Sequence, residues 1–404
     1  MTSMPLSGVR VLDFTWVGAG PLATKVLADF GADVIKIESR SRPDPLRNTP
    51  PFKDGERGLE RSGYFANRNS SKRSFALNMT HPKARDIVLR LAKVSDVCAQ
   101  SFRPGTMESW GVGYEDLASI RPDIIYLGMP MQGESGPHAT FSGYGATLVA
   151  LSGLYWLCGS PSRPPVGTGT NYPDHVPNPM HAAFAVLLAI RDRKVTGRGH
   201  RIELSQLEST LNILGAALLD ALDGHQPERQ GNSLTYAAPH DVYPTKGHDE
   251  WLAVSVLNDE QWLGAVEVTG IERWRSDSSL ERASGRVADQ AQLNEEFSDW
   301  TRQRTGADAA RALQLAGVPS SVVAIAPTVL SDQQLQFRNA FTWLDHPVIG
   351  HSIYNSPTPK LSATPGFLRS PAPLLGEHTR EICQDLLGFT DAEIDSLIAE
   401  GVLE

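Results

Sequence analysis

Cysteine is scarce: the chain has three in 404 residues, Cys98, Cys158 and Cys383, with no paired spacing. That argues against a disulfide framework or a zinc site, so no metal is expected, and it fits a reducing, cytoplasmic setting. No run of eighteen apolar residues occurs, so no membrane span is expected. The start, MTSMPLSGVRVLDF, lacks a basic region followed by an apolar one, and no secretory signal is visible. Positive charge is in deficit. A net charge of −9 argues against nucleic acid as a bulk partner, and an anionic ligand then needs a local basic pocket. Internal repeats are also missing. What is present is a hydrophobic fraction of 41%, ample for a core, and 35 glycines and 28 prolines, which mark many tight connections. The length suits two or three domains, or one large and one small.

The opening reads as GVRVLDF (strand), WVGAGP (turn), PLATKVLADFG (helix) and ADVIKIES (strand). A βαβ unit of this kind implies a parallel sheet. The Gly18–Gly20 turn could meet a phosphate at the helix N-terminus. GAGPLA lacks the third glycine of the dinucleotide fingerprint and Pro21 removes a donor, so a plain NAD site is poorly supported. Residues 40–72 read as a long polar, proline-rich loop, closed by the basic NSSKRS. Strands at VCAQSF and DIIYLGMP are again followed by basic or glycine-rich loops. Ligands of open α/β sheets lie outside the carboxyl ends of such strands. Arg40 and Arg103, in two of these loops, are candidates for phosphate, which arginine meets in a bidentate way.

Residues 163–205 organise the chain. Glycines and prolines exclude regular structure up to Pro179, near which a helix opens with Asn178 a plausible cap. Its body, MHAAFAVLLAIRDRK, is apolar on nearly every side and is expected to be deeply buried. Gly197 and Gly199 break it before a short strand, HRIELS. Asp174 is the one carboxylate in the approach, and such an acid is either a turn or cap residue or a working group. QLESTLNILGAALLDAL reads as one long helix leading to a linker. The expected division is 1–224 for a large domain, 225–325 for a smaller α/β domain anchored by Trp274 and Trp300, and 326–404 for a return to the large one.

Six stretches in order (GVRVLDF…AGP…LADFGADVIKIE, SKRSFALNM, SFRPGTMESWGVGYEDL, AAFAVLLAIRDRKVTGRGHRIELSQLES, TPGFLRSPAPLLGEHT and LLGFTDAEIDSLIAEGV) make the chain resemble the family III CoA-transferases, colinearly over nearly its whole length. The resemblance implies a Rossmann-like large domain built from both chain ends, a small domain and an interlocked dimer. It places Asp174 on the family's nucleophile. A carboxylate suits that chemistry, because exchanging one thioester for another is nearly thermoneutral and covalent catalysis splits the kinetic obstacle. Oxyanions formed on the way need fixed donors, for which GTGT (167–170) is a local candidate. The resemblance also assigns Val17, Lys72 and Phe102 to CoA contacts, with CoA entering as substrate.

Departures from the family pattern are Ser101 for asparagine, Ser109 for arginine and Gly145 in SGYGA. In that turn Tyr144 and Gly145 replace the His and Asp of the related α-methylacyl-CoA racemases, whose two-sided proton transfer needs both partners. A third reading is a non-catalytic subunit of a hetero-oligomer, against which Asp174 speaks. The opening stretch looks most like subunits of succinyl-CoA:benzylsuccinate CoA-transferase. The expected donor is therefore succinyl-CoA and the acceptor a substituted succinate such as benzylsuccinate. Trp16, Phe141, Tyr144, Tyr155, Trp156 and Tyr172 are candidates to line an apolar acyl pocket or to be core. The partner is expected to be a second copy or a paralogous subunit.

Overall fold

The computed structural model describes residues 4–404, which fall into two units. The first holds the chain up to Tyr155, Gly167–Pro227 and Gln336–Glu404; the second holds Trp156–Val166 and Glu228–Leu335. The segment 156–166 therefore belongs with the smaller unit, which runs on to 335 rather than ending at 325.

Six parallel strands form the centre of the first unit: β1 (Arg10–Phe14), β2 (Asp33–Glu38), β3 (Arg73–Ala76), β4 (Val97–Gln100), β5 (Ile125–Gly128) and β6 (His200–Glu203). Their order is β3-β2-β1-β4-β5-β6, all neighbours parallel. Alternation along each strand assigns the two faces. Leu12, Phe14, Ile35, Ile37, Cys98 and Tyr126 point one way, onto Ile87, Val88 and Leu91 of the Ala84–Lys93 helix and onto Ile382 and Ile394 from the C-terminal helices. Val11, Val34, Val97, Ile125 and Leu127 point the other way, onto Ala23 and Leu27 of α1 (Ala19–Asp29) and onto Val186 and Ile190. Each Val, Leu, Ile or Phe side chain among them contributes about 1.5–3 kcal/mol on leaving water. Both faces are covered, which is why these strands read as apolar runs. The chain reverses direction across the sheet between β1 and β4.

Several expectations change in detail. The central helix is Pro177–Thr196, with Pro177 at its first position and Val176 as an N-cap that makes no side-chain bond. Asn178 lies inside it, buried, with its Nδ2 3.3 Å from Gln206 Oε1. Gly197, at φ +73°, ends it in the left-handed conformation. Only half of this helix is covered. Ala182, Val186 and Ile190 are buried, whereas Phe184 is 59% and Leu188 54% exposed in the single chain. The segment after β6 is not one helix but Gln206–Leu211, a 3-10 turn at Asn212–Leu214, and Gly215–Leu222, the last with no buried residue. The 40–72 loop contains α2 (Gly63–Asn69), started by Ser62, whose Oγ accepts from the Phe65 N–H at 3.1 Å.

The second unit packs five helices between Asp259 and Leu315 against three antiparallel strands, His240–Pro244, Trp251–Ser255 and Ser320–Val322. Its core stacks Trp262, Trp274, Phe297 and Trp300. Trp274 and Trp300 are thus the anchors expected. The first of these strands lies in what reads as a linker, because only Tyr243 of its five residues is fully buried.

Candidate active site

The loop leaving β1 is held by buried ions. Asp13 accepts from Lys72 Nζ at 2.8 Å, Thr24 Oγ1 at 2.7 Å and Thr15 Oγ1 at 2.5 Å. Lys72 Nζ also donates to Pro21 O, Thr24 Oγ1 and Asn69 Oδ1 at 2.8–2.9 Å. Burial pulls the Lys72 ammonium down to about 8, while Lys72 and Lys36 outweigh burial at Asp13 and hold that carboxyl low. Both members are therefore charged at neutral pH. Lys36 pairs with Asp44 at 2.9 Å, both fully enclosed, and donates to Thr15 O at 2.8 Å. Asp44 in turn accepts from the Val17 N–H at 3.0 Å. Val17 has φ +66°, a strained conformation for a β-branched residue. Such strain costs about 1–3 kcal/mol and persists only where the surroundings over-determine it.

This geometry corrects one assignment. Lys72 has no surface and no donor left for a CoA phosphate; it is a core cation under the β1 loop. Arg47, a further basic residue of the 40–72 loop, is likewise enclosed between Glu38 at 2.9 Å and Glu60 at 2.5 Å. Arg40 and Arg103 are exposed; among the described residues their guanidiniums bond Leu375 O at 3.3 Å and Thr140 O at 3.1 Å. Phe102 is half-buried, edge-to-face with Trp16 at 5.0 Å and with Trp110 at 5.4 Å. Arg42, overlooked in the sequence, lies 5.8 Å over the Trp16 ring. Ser101 staples the two loops: its Oγ accepts from the Trp16 N–H at 3.0 Å and donates to the Trp16 carbonyl at 3.3 Å. Trp16 and Phe102 follow β1 and β4, so this cluster marks the switch point of the sheet, where open α/β folds take ligands.

Asp174 stands in a short helical turn, Tyr172–His175, just before the Pro177–Thr196 helix, and is 5% exposed. Two glycines make room for it. A Cβ at Gly145 would fall 2.4 Å from Asp174 Oδ2, and one at Gly18 would fall 2.9 Å from Asp174 Cβ. Gly145 is the first residue of the Gly145–Leu151 helix, and Gly18 is the N-cap of α1. The carboxyl therefore faces the starts of two helices, where partial positive charge favours an anion. Burial raises its pKa to about 6, and Arg68 and the Gly145 N–H oppose that rise. The glycine turn of residues 18–20 thus packs on a carboxylate. Gly145, visible in the sequence only as a lost acid, is a backbone donor to Asp174.

Beside the acid, Arg68 Nη2 lies 2.5 Å from His175 Nδ1, and the Tyr64 ring sits 6.0 Å from the imidazole. Burial and Arg68 push His175 down to about 4, so it is neutral at physiological pH. Its Nδ1 then accepts from Arg68 and the proton sits on Nε2. An open cleft of about 640 Å³ adjoins this group, lined by Pro51, Tyr64, Asn171, His175, Ile349 and Ile353 among others. Thr170 of the GTGT stretch reaches it too. Of the aromatic candidates, Phe141, Tyr144 and Tyr172 are exposed, Trp16 packs on Phe102, and Trp156 belongs to the second unit. Among the described residues no helix is long and apolar enough to cross a membrane, and no cluster of His, Cys, Asp and Glu could hold a metal.

The family model for CoA-transferase family III matches residues 6–379. The succinyl-CoA--D-citramalate CoA-transferase of Chloroflexus aurantiacus is 31% identical over 400 residues, 99% of this chain and 98% of that protein. The beta subunit of the succinyl-CoA--L-malate CoA-transferase of the same organism is 32% identical over 409 residues, 100% of this chain and 99% of that one. The mouse succinyl-CoA:glutarate CoA-transferase is 30% identical and is covered to 90% of its length. Among solved structures, a CAIB/BAIF family protein from Brucella suis superposes with a TM-score of 0.86 at 28% identity, covering 95% of this chain and 100% of that one.

Proposed function

This chain belongs to CoA-transferase family III, and we propose that it moves CoA from succinyl-CoA to a second dicarboxylic acid through covalent intermediates on Asp174. The observation that carries this reading is a nearly buried carboxylate, poised near neutrality, in a niche that only glycine at positions 18 and 145 leaves open. The Asp174 carboxylate attacks the thioester carbonyl, giving a mixed anhydride and CoA thiolate. The thiolate attacks the aspartyl carbonyl, releasing the donor acid and leaving an aspartyl-CoA thioester. The acceptor carboxylate attacks that thioester, and the returning thiolate takes the acceptor acyl group and frees Asp174. Each addition develops an oxyanion that fixed donors stabilise. The Thr168–Thr170 backbone is a candidate donor set.

CoA lies across the β1–β4 switch point in this reading. Phe102 and Val17 flank the nucleotide, and Arg40, Arg42 and Arg103 serve the phosphates. Relatives named for D-citramalate, L-malate and glutarate support a short dicarboxylate as acceptor. A substituted succinate, benzylsuccinate included, is the class to test first. A matrix of donors and acceptors, read as CoA esters by mass spectrometry, decides it. Transfer only to formate, oxalate or monocarboxylates would overturn the dicarboxylate assignment. Trapping with hydroxylamine or borohydride during turnover should modify Asp174; modification elsewhere would overturn the covalent assignment.

A paralogous partner is favoured by one finding. Relatives include both the beta and the alpha subunit of the L-malate enzyme, the latter 28% identical over 402 residues. Asp174 in its glycine niche supports a catalytic role for this chain in any such pair.

A further inference from the structure

Arg68 is an unusual cation in this chain. It is held on α2 with much of its side chain out of water, yet among the described residues no Asp or Glu oxygen pairs with it. Its Nε is buried without a hydrogen-bond partner. The groups in direct contact with it are neutral: His175 Nδ1 at 2.5 Å, Asn67 Oδ1 at 3.4 Å, and Tyr64, which hydrogen-bonds it and whose ring lies at 5.5 Å. The charge of Asp174 acts on Arg68, but with no ion pair between them much of the solvation that an arginine loses on burial goes unrestored. The other enclosed cations of this unit, Lys25, Lys36, Arg47 and Lys72, are each paired with a carboxylate. Arg68 is the one with no carboxylate in ion-pair contact, which leaves room for an anion to be supplied.

Its position says what that anion is. Arg68 bonds the residue next to Asp174 and is close enough for its charge to act on the Asp174 carboxyl. Tyr64 and His175, the groups it touches, line the cleft. His175, neutral and with its proton on Nε2, adds a second donor beside the charge. A short diacid whose acyl carbon is at Asp174 has its other end in this neighbourhood. We propose that Arg68, braced by His175 and Tyr64, is the subsite for the far carboxylate of the dicarboxylic substrate, the one not joined to sulfur. This assignment rests on the dicarboxylate reading given above. It makes Arg68 a specificity-determining residue: it selects diacids over monoacids and leaves the covalent chemistry to Asp174.

Two measurements test it. The first uses binding alone, by calorimetry with succinate, glutarate and butyrate on the full-length protein and on Arg68→Gln and Arg68→Lys. The wild type should prefer the diacids, and Arg68→Gln should remove that preference with a loss of roughly tenfold to a hundredfold, the scale of one charged hydrogen bond. Arg68→Lys, which keeps the charge without the fork, should fall between. The second compares KM for succinyl-CoA and butyryl-CoA, and only the former should rise in Arg68→Gln. Unchanged diacid preference in Arg68→Gln, or no preference in the wild type, would overturn the subsite. So would an equal rise for both thioesters, which points to a CoA phosphate at Arg68 instead. If the wild type binds diacids through Arg68 but transfers no CoA to or from them, the subsite stands and the proposed reaction falls.

Discussion

Burying an ionisable carboxylate trades stability for reactivity, and at Asp174 both sides of that trade are measurable. The folded pKa is about 6 against a reference of 3.8. Below pH 4 both folded and unfolded states hold the proton and the group costs nothing. Between pH 4 and 6 the unfolded chain ionises first, so stability falls as pH rises, and the full cost is present above pH 6. It amounts to about 3 kcal/mol at most, at 1.36 kcal/mol per unit. Asp174→Asn should therefore raise the denaturation midpoint at pH 7 but not at pH 4, while lowering turnover at least a thousandfold. A variant that keeps a tenth of wild-type turnover ends the covalent reading. On the covalent reading the same pKa sets the acid limb of activity: kcat/KM should fall tenfold per unit below about pH 6, as Asp174 is protonated. Gly145→Ala is the steric counterpart. Its methyl would overlap Asp174 Oδ2, so it should cost more than tenfold in kcat with little change in KM for acyl-CoA.

At the scale of elements, the loops after β1 and β4 divide into buried scaffolding and exposed basic groups. Lys72 belongs to the scaffolding. Lys72→Ala leaves Asp13 as an unpaired buried charge, which costs roughly 3–5 kcal/mol. The expected result is a large loss of stability, read by chemical denaturation, rather than a selective rise in KM. Arg103→Ala and Arg42→Ala should do the reverse, raising KM for acyl-CoA several-fold at unchanged stability, with a smaller difference at high salt.

The contrast shows what was legible in the sequence. Strand positions followed from apolar runs, and the Asp174 turn from its glycines and prolines, because both are local signals. Whether Lys72 faces water or Asp13 depends on a partner 59 residues away, which no local pattern encodes. Helix α2 was hidden by polar composition, although Ser62 ahead of GYFANRN was a readable cap. Gly145 looked like a lost acid because its contribution, an N–H, is carried by every residue but proline.

The whole molecule raises the question of the uncovered apolar helices. Phe184, Leu187, Leu188 and Val195 of the central helix are 40–70% exposed, and Leu218, Leu219 and Leu222 of the Gly215–Leu222 helix are 49–83% exposed. Sequence composition called for burial of the central helix, and a single chain supplies only half of it. Exposed apolar surface of this extent on neighbouring stretches marks an interaction face. A second copy or a paralogous subunit is the occupant that the family resemblance implies, interlocked so that separation requires unfolding. The expected result is a dimer by sedimentation velocity that persists on dilution to nanomolar concentration. Its thermal midpoint should rise with protein concentration, since folding and association are then one equilibrium. Leu188→Glu, which places a charge on the face without touching the sheet, should give insoluble or unfolded protein rather than a folded monomer. Recovery of Leu188→Glu as a folded, soluble monomer would show that the two chains are not interlocked, and a wild-type monomer would show that this face is covered by something else.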